Sequence, residues 1–154
     1  GAFEHGILGE VVTPLPKNIV PLAMQVAVKQ REAIELRQQA NTADQTVERS
    51  FVHVLDVCEA VISSLHWLFE QTHSCEAFNI AGEVVSIQQL LERIAEVTDA
   101  EIATVPAIHY EYPELDQLGA VVEKAQQYLH WQPKRSLEKM LEDEWRFYQN
   151  TLKH

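Results

Sequence analysis

One arginine stands where a cation could bind an anionic ligand. Arg49 lies two residues before the start of a short, largely apolar run, residues 51–54, in the stretch VERSFVHVLDVCEA. That run reads as a buried strand, and a guanidinium beside it can donate two parallel hydrogen bonds to phosphate or carboxylate oxygens. Arg49 is therefore either an ordinary surface charge beside a strand or a cation kept for an anion.

Other kinds of reactive or ligand-binding centre have little support in the sequence. Neither G-x-G-x-x-G nor G-x-x-x-x-G-K-[ST] occurs, so there is no glycine-rich phosphate loop. The seven histidines never show the i, i+4 spacing of a helical zinc site, and no metal site is expected. No serine–histidine–aspartate or cysteine–histidine set can be argued from spacing, so no catalytic residue is assigned.

The composition is typical of one folded domain. The 154 residues are 46% hydrophobic and carry a formal net charge of -11, which argues against nucleic acid or an anionic membrane as a partner. No apolar run approaches the roughly 20 residues of a membrane-spanning helix, and the first residues lack a signal-peptide pattern. Two cysteines, Cys58 and Cys75, fit a reducing compartment, and we expect a cytoplasmic location.

Helical and strand patterns alternate along the chain, which predicts a mixed α and β fold. Residues 1–17 read as a loop. Helices are expected after the N-cap Asn18, from Asp56, after the capping-box residue Ser86, over residues 123–129 and beyond Pro133. Strands are expected over residues 33–37, 51–54, 76–82 and 101–105.

The ordered set of motifs resembles the C-terminal part of UDP-galactose 4-epimerases, in the extended short-chain dehydrogenase/reductase family. LPKNIVPLAMQVAV is similar to the family's helix start, and AIELR to the strand that runs along uracil. ERSFVHVLDVCEA is similar to VRDYIHVxDLAxA, FNIAG to YNLGxG, and KAQQYLHWQPKRSLEKML to KAxxxLxWxPxxxLxxM. Each motif alone is weak, but together they cover nearly the whole chain in one order.

The resemblance implies an α/β chain of short strands and amphipathic helices that lacks the N-terminal Rossmann core. In that family NAD and the catalytic Ser/Thr and Tyr-x-x-x-Lys residues belong to the N-terminal domain. Residues 1–154 would then be a nucleotide-sugar-binding portion that does not bind NAD alone. Residues 51–82 would pack on the absent domain, so we expect the chain alone to expose apolar surface and to self-associate or exchange segments.

The resemblance also implies substrate-binding roles for five residues. Arg49 matches the arginine that contacts the diphosphate of a UDP-sugar. Lys17 and Asn18, at the start of the first helix, would lie near the same phosphates, although Asn18 could equally be a plain N-cap. Ile34 and Leu36 would line uracil, or would simply be strand residues.

The sequence departs from the family pattern at the second phosphate contact. The family's Arg-x-Gly-Asp segment corresponds to HYEYPELDQLG, with Tyr110 or Glu111 where the arginine should fall. The aspartate that follows the family's first arginine is Ser50, and the glycine after the uracil strand is Arg37. The expected function is the substrate-binding part of an NAD-dependent nucleotide-sugar epimerase, an isomerase. The alternatives are a nucleotide-sugar dehydratase or reductase of the same family, and a non-catalytic binding or assembly protein.

Overall fold

Five helices and seven short strands make up the part of the chain that the computed structural model describes, residues 2–4, 7–9, 18–36, 48–71, 75–106, 117–118 and 120–151. The helices are α1 (Ile19–Ala27), α2 (Val54–Glu70), α3 (Ile87–Thr98), α4 (Glu123–Leu129) and α5 (Leu137–Thr151). The strands are β1 (Ala2–Glu4), β2 (Ile7–Gly9), β3 (Ile34–Leu36), β4 (Glu48–Phe51), β5 (Glu83–Ser86), β6 (Thr104–Pro106) and β7 (Gln117–Leu118). The mixed α and β class expected from the sequence is confirmed.

The strands form three small sheets. β1 pairs with β2 in an antiparallel hairpin, and β3 pairs with β6 in parallel. In the third sheet β4 is the central strand, antiparallel to β5 on one side and parallel to β7 on the other. Parallel pairs need long crossover connections, and the helices between the paired strands supply them.

The first core lies where α1, α3 and α5 meet β3 and β5. The hydroxyl of Tyr148 in α5 donates a hydrogen bond to the backbone oxygen of Pro21 in α1, at 3.3 Å, so the last helix is bonded to the first. The buried members of this core are Ala23, Met24, Val26, Ile34, Val85, Leu90, Ile94, Leu137, Leu141, Phe147 and Tyr148.

A second, smaller core lies between α2 and α4. Its buried members are Ala60, Ala125, Leu129 and Trp131. The ring of Trp67 meets the ring of Phe78 edge to face, with 5.3 Å between centroids, at the border of this core. The other side of α2 carries large apolar side chains that are 47–85% exposed, which we call the α2 apolar face: Val61, Ile62, Leu65, Leu68 and Phe69. No helix in the described residues is both long and apolar enough to cross a membrane.

Local capping signals set the helix ends. α3 begins with the expected capping box, in which the Ser86 hydroxyl accepts the backbone N–H of Gln89 and the Gln89 side chain accepts that of Ser86. α3 ends at Thr98, and the residue that follows it, Asp99, adopts a left-handed backbone conformation with φ of 51°. Asp99 thereby takes the position that glycine usually fills after a helix.

Several expected boundaries are wrong. Residues 51–54 are not a strand, because β4 ends at Phe51 and α2 already begins at Val54. Residues 76–82 belong to no strand, because β4 pairs instead with the next segment, β5. The expected loop over residues 1–17 contains the hairpin of β1 and β2. The strand expected at residues 101–105 is the shorter β6.

A buried aspartate ties α2 to the turn before α5. The carboxylate of Asp56, in the first turn of α2, is 0% exposed and accepts the backbone N–H groups of Lys134 and Arg135 at 3.2 and 3.0 Å. It also accepts a hydrogen bond from the Arg135 guanidinium. The indole N–H of Trp131 donates to the backbone oxygen of Asp56 at 2.8 Å. Since burying a carboxylate is costly unless it is hydrogen-bonded, these contacts are what allows Asp56 to be buried between α2 and the turn before α5.

Glu59 extends this tie toward the surface. Its carboxylate accepts hydrogen bonds from Lys134 Nζ at 2.7 Å and from Arg135 Nη2 at 3.0 Å. The hydrogen bond from Lys134, followed by that from Arg135, lowers the pKa of Glu59. The hydrogen bond with Glu59, together with that with Asp56, raises the pKa of Arg135.

A histidine makes the second tie between α2 and α5. His53 is 3% exposed and is the N-cap of α2, because its Nδ1 accepts the backbone N–H of Leu55 at 3.1 Å. Its Nε2 lies 3.2 Å from Oδ2 of Asp143 in α5. Burial of Asp143 opposes ionisation, but hydrogen bonds from Lys139 and His53 outweigh it, so the pKa of Asp143 lies below its ordinary value. Both ring nitrogens of the buried His53 thus have partners within the protein.

Replacement of Asp56 by alanine should destabilise the fold severely. The change removes the acceptor for two backbone N–H groups and one guanidinium, and we expect a loss of about 3 kcal/mol in the free energy of unfolding. Urea denaturation followed by circular dichroism measures it. Glu59→Ala is the matched control, because it removes only the half-buried carboxylate that extends the same network toward the surface. Equal losses in the two variants would show that the buried carboxylate of Asp56 contributes no more to stability than the carboxylate of Glu59.

The lowered pKa of Asp143 should make the fold sensitive to acid. A carboxyl whose pKa is lower when folded stabilises the protein above its unfolded pKa, and this stabilisation is lost as the pH falls through the folded value. We expect the free energy of unfolding to decline as the pH falls from about 5 to 3. Asp143→Asn keeps an acceptor for His53 but cannot ionise, so its decline should be shallower. If the free energy of unfolding declined equally with pH in the wild-type protein and Asp143→Asn, the assignment of this acid sensitivity to Asp143 would be wrong.

Candidate functional site

Arg49 lies within the central strand of the three-stranded sheet. It faces Val85 of β5 and Leu118 of β7 in the strand register. Its guanidinium is partly buried and donates from Nη1 to the backbone oxygen of Glu48 at 2.8 Å. The arginine that the sequence suggested before a strand is therefore held inside one, where its backbone is fixed by neighbours on both sides.

The face of β4 that carries Arg49 also borders the first core. Side chains alternate along a strand, so Arg49 and Phe51 share one face and Ser50 takes the other. Phe51 packs against the first core, and Val85, the register partner of Arg49, is a buried member of that core. Arg49 thus places a positive charge beside the apolar side chains of the first core. This arrangement suits a ligand in which an anion is attached to a flat, partly apolar group.

Asn18 occupies the N-cap position of α1, as expected. Its backbone is extended and its carbonyl accepts the N–H of Leu22 at 3.2 Å, but its side chain makes no capping hydrogen bond. Asn18 is exposed and stands at the N-terminal end of a nine-residue helix, where backbone N–H groups favour negative charge. Lys17 lies outside the described residues.

Ile34 and Leu36 belong to β3, and they differ in exposure. Ile34 is 1% exposed and is a member of the first core, which favours the alternative of a plain strand residue for its side chain. Leu36 is half-buried and packs against the same core. The start of α1, the face of β3 and the Arg49 face of β4 therefore surround one core, and the role of each residue in binding stays a prediction.

Two clefts lie away from these residues. One of about 910 Å³ opens where α1 and α3 end and is lined by charges of both signs, including Lys29, Arg31 and Asp99. A groove of about 450 Å³ separates α2 from residues 75–80 and is mostly apolar. Neither cleft is lined by the four described candidate residues. Within the described ranges no group of three or more histidine, cysteine, aspartate or glutamate side chains could hold a metal ion.

One contact beside Arg49 was not foreseen from the sequence. The hydroxyl of Ser50 is hydrogen-bonded to both backbone groups of Gly82, which lies 32 positions later in the chain. The glycine at the end of FNIAG was recognisable as a turn residue. Its hydrogen-bond partner Ser50 could not be predicted, because the local sequence around neither residue indicates a contact between positions so far apart in the chain.

Curated proteins similar to the chain are UDP-glucose 4-epimerases. UDP-glucose 4-epimerase 4 of Oryza sativa is 31% identical over 148 residues, which are 94% of this chain and 40% of that protein. UDP-glucose 4-epimerase of Homo sapiens is 30% identical over 149 residues, covering 96% of this chain and 42% of that protein. The chain thus spans about two-fifths of the length of these relatives. No family model matches it.

Solved structures of the same name share the fold. A UDP-glucose 4-epimerase structure that is 28% identical covers 89% of this chain and 42% of its own, with a TM-score of 0.78. The enzyme from Stenotrophomonas maltophila, with bound NAD and formylated UDP-arabinopyranose, has a TM-score of 0.84 at 23% identity and covers 95% of this chain and 44% of its own. At that identity the second likeness is evidence for the fold alone. In sequence and in fold, the chain is similar over nearly its whole length to the C-terminal part of UDP-glucose 4-epimerases.

Proposed function

We propose that the chain is the nucleotide-sugar-binding part of an NAD-dependent epimerase of the UDP-glucose 4-epimerase type. The observation that carries the proposal is sequence similarity to UDP-glucose 4-epimerases over 94–96% of the chain. Arg49 lies in the stretch ERSFVHVLDVCEA, which resembles the family's VRDYIHVxDLAxA, and it is held in a sheet beside an apolar core. A guanidinium so placed suits a nucleoside diphosphate, because it pairs with the phosphate oxygens while apolar side chains contact the base.

Each candidate residue has a part in this proposal. Arg49 donates to the diphosphate, and Asn18 with Lys17 presents the N-terminal end of α1 to the same phosphates. Leu36 and the backbone of β3 line the uracil ring, while Ile34 supports that strand from the core side. Together these groups anchor the nucleotide and leave the sugar free to reorient.

The chemical step is assigned to another part of a longer protein. NAD, held by an N-terminal domain, would take a hydride from the sugar and return it to the opposite face. Two of the structures that share the fold contain NAD or NAD+, together with formylated UDP-arabinopyranose in one and UDP in the other. The residues of this chain would bind and orient the substrate only. A cytoplasmic location fits Cys58 and Cys75, which are both free thiols.

Two other functions are alternatives to an epimerase. Similar folds include a dTDP-glucose 4,6-dehydratase, with a TM-score of 0.66 at 22% identity, so a dehydratase is the second candidate within the family. Loss of the second phosphate contact would favour a non-catalytic binding protein, but Tyr110, Glu111 and Arg37 lie outside the described residues. Mass spectrometry of the products that a full-length protein makes from UDP-sugars separates an epimerase from a dehydratase and from an inactive binding protein.

The α2 apolar face is proposed to pack on that N-terminal domain. Five large apolar side chains on one helix are 47–85% exposed, and residues 75–80 run beside them without belonging to any strand of the described chain. A contiguous exposed apolar patch of this kind marks an interface. More than half the length of each curated relative lies beyond the similar region, which is enough chain for a further domain. Residues 51–82 would form the contact.

Arg49→Ala should weaken the binding of UDP. Loss of one charge-assisted contact is worth about 1.5–3 kcal/mol, or roughly 10- to 150-fold in the dissociation constant. Isothermal titration calorimetry with UDP measures it. Arg31→Ala is the control, because it removes an arginine that lines the separate cleft at the ends of α1 and α3. Equal binding by the wild-type chain and Arg49→Ala, or no binding by either, would refute the role of Arg49.

The chain alone should self-associate through the α2 apolar face. Light scattering at micromolar concentration should report oligomers, and the double variant Ile62→Glu, Leu65→Glu should shift them toward monomer, since both side chains are about half exposed. Val105→Glu on β6 is the matched control, an exposed valine outside that face. A monodisperse wild-type monomer, or an equal effect of the control, would contradict the proposed interface.

A further inference from the structure

The link between Ser50 and Gly82 lies one residue from the candidate phosphate-binding arginine. Ser50 Oγ donates to the backbone oxygen of Gly82 at 3.2 Å and accepts the backbone N–H of Gly82 at 3.0 Å. Ser50 follows Arg49 on β4, and Gly82 directly precedes β5. A single hydroxyl therefore satisfies both backbone groups of the residue that leads into the neighbouring strand.

The glycine makes this link possible by its close approach to β4. A Cβ placed on Gly82 would lie 2.0 Å from the backbone oxygen of Phe51 and 2.9 Å from its carbonyl carbon. Those are backbone atoms of a paired strand, so no side-chain adjustment could relieve the overlap. The backbone of Gly82 therefore rests directly on β4, within reach of the Ser50 hydroxyl.

The hydrogen bonds between Ser50 and Gly82 lie at one end of the β4–β5 ladder, where they influence the register of the two strands. β4 and β5 share only four register pairs, from Glu48 with Ser86 to Phe51 with Glu83, and Gly82 is the next residue beyond the last pair. A slip of one residue in a strand moves every side chain to the opposite face of the sheet. A short ladder resists such a slip weakly, and two added hydrogen bonds at its end oppose it.

Register decides where the guanidinium of Arg49 points. In the present register Arg49 is opposite Val85, which is 3% exposed, and shares a face with Phe51, which packs on the first core. Fixing Ser50 against Gly82 fixes this pairing, while the Ser50 side chain itself points to the other face of the strand. Ser50 therefore acts on the ligand only through its neighbour.

We propose that Ser50 is a positioning residue for Arg49, which locks β4 to Gly82 so that the guanidinium faces a nucleoside diphosphate. This inference rests on the proposed function. It also gives a role to a residue at which the sequence departs from the family's VRDYIHV motif, where an aspartate follows the arginine. A neutral hydroxyl bonds the two backbone groups of Gly82, whereas an ionised carboxylate could only accept.

The test is calorimetric titration of the whole chain with UDP for a matched set of variants. Ser50→Ala should weaken binding about tenfold, because two hydrogen bonds are lost, and Ser50→Thr, which keeps the hydroxyl, should bind within about twofold of wild type. Ser64→Ala removes a hydroxyl that donates to the backbone oxygen of Ala60 at 2.8 Å, and it should leave binding unchanged. Wild-type affinity in Ser50→Ala alongside a loss in Arg49→Ala would overturn the inference.

A second measurement keeps the inference separate from the proposed function. In ¹⁵N NMR spectra the Arg49 Nε–H and the Val85 amide should shift in Ser50→Ala, and the Val85 amide should exchange faster, whereas both signals should be unmoved in Ser64→Ala. Unmoved signals in Ser50→Ala refute the positioning role whether or not UDP binds. If Ser50→Ala does not fold, Ser50→Cys takes its place, since a thiol is a much weaker hydrogen-bonding group of similar size.

Discussion

The arrangement of the second half of the chain depends on the buried carboxylate of Asp56. This carboxylate, in the first turn of α2, accepts hydrogen bonds from two backbone N–H groups and one guanidinium. The backbone oxygen of the same residue accepts a hydrogen bond from an indole N–H. Because its partners lie 75 to 79 positions later, these hydrogen bonds form only when α2 docks against the turn before α5. The second core, between α2 and α4, is closed by the same contacts through Trp131. A single charge thus fixes how two halves of the sequence meet.

Elements defined by local signals were predictable from the sequence, and those defined by distant partners were not. The cap of α1 at Asn18 and the capping box at Ser86 depend on residues within one turn, and both were located correctly. Residues 51–54 alternate like a strand, but His53 caps a helix through its ring, a use of histidine that the apolar alternation concealed. β5 was missed because Gly82 and the β4 pairing, rather than its own composition, define where it starts.

In the candidate site, too, features set by local sequence were predictable and features set by distant partners were not. Arg49 could be selected from its place before an apolar run, yet its position in a central strand required the pairing with both β5 and β7. Asn18 was placed correctly at a helix start, although its side chain does not cap that helix. Ile34 was recognisable as a strand residue from the sequence. Only the packing shows that its side chain is buried in the first core, whereas that of Leu36 lies nearer the surface.

The cap of α2 also determines the tautomer of the buried histidine. In a neutral imidazole one nitrogen accepts and the other carries the proton. Since Nδ1 of His53 accepts the N–H of Leu55, the proton of the neutral ring belongs on Nε2, directed at Asp143. The ring therefore joins a helix start to a distant helix with a fixed polarity. Its nitrogen chemical shifts make His53 a natural spectroscopic reporter of whether α2 and α5 are docked.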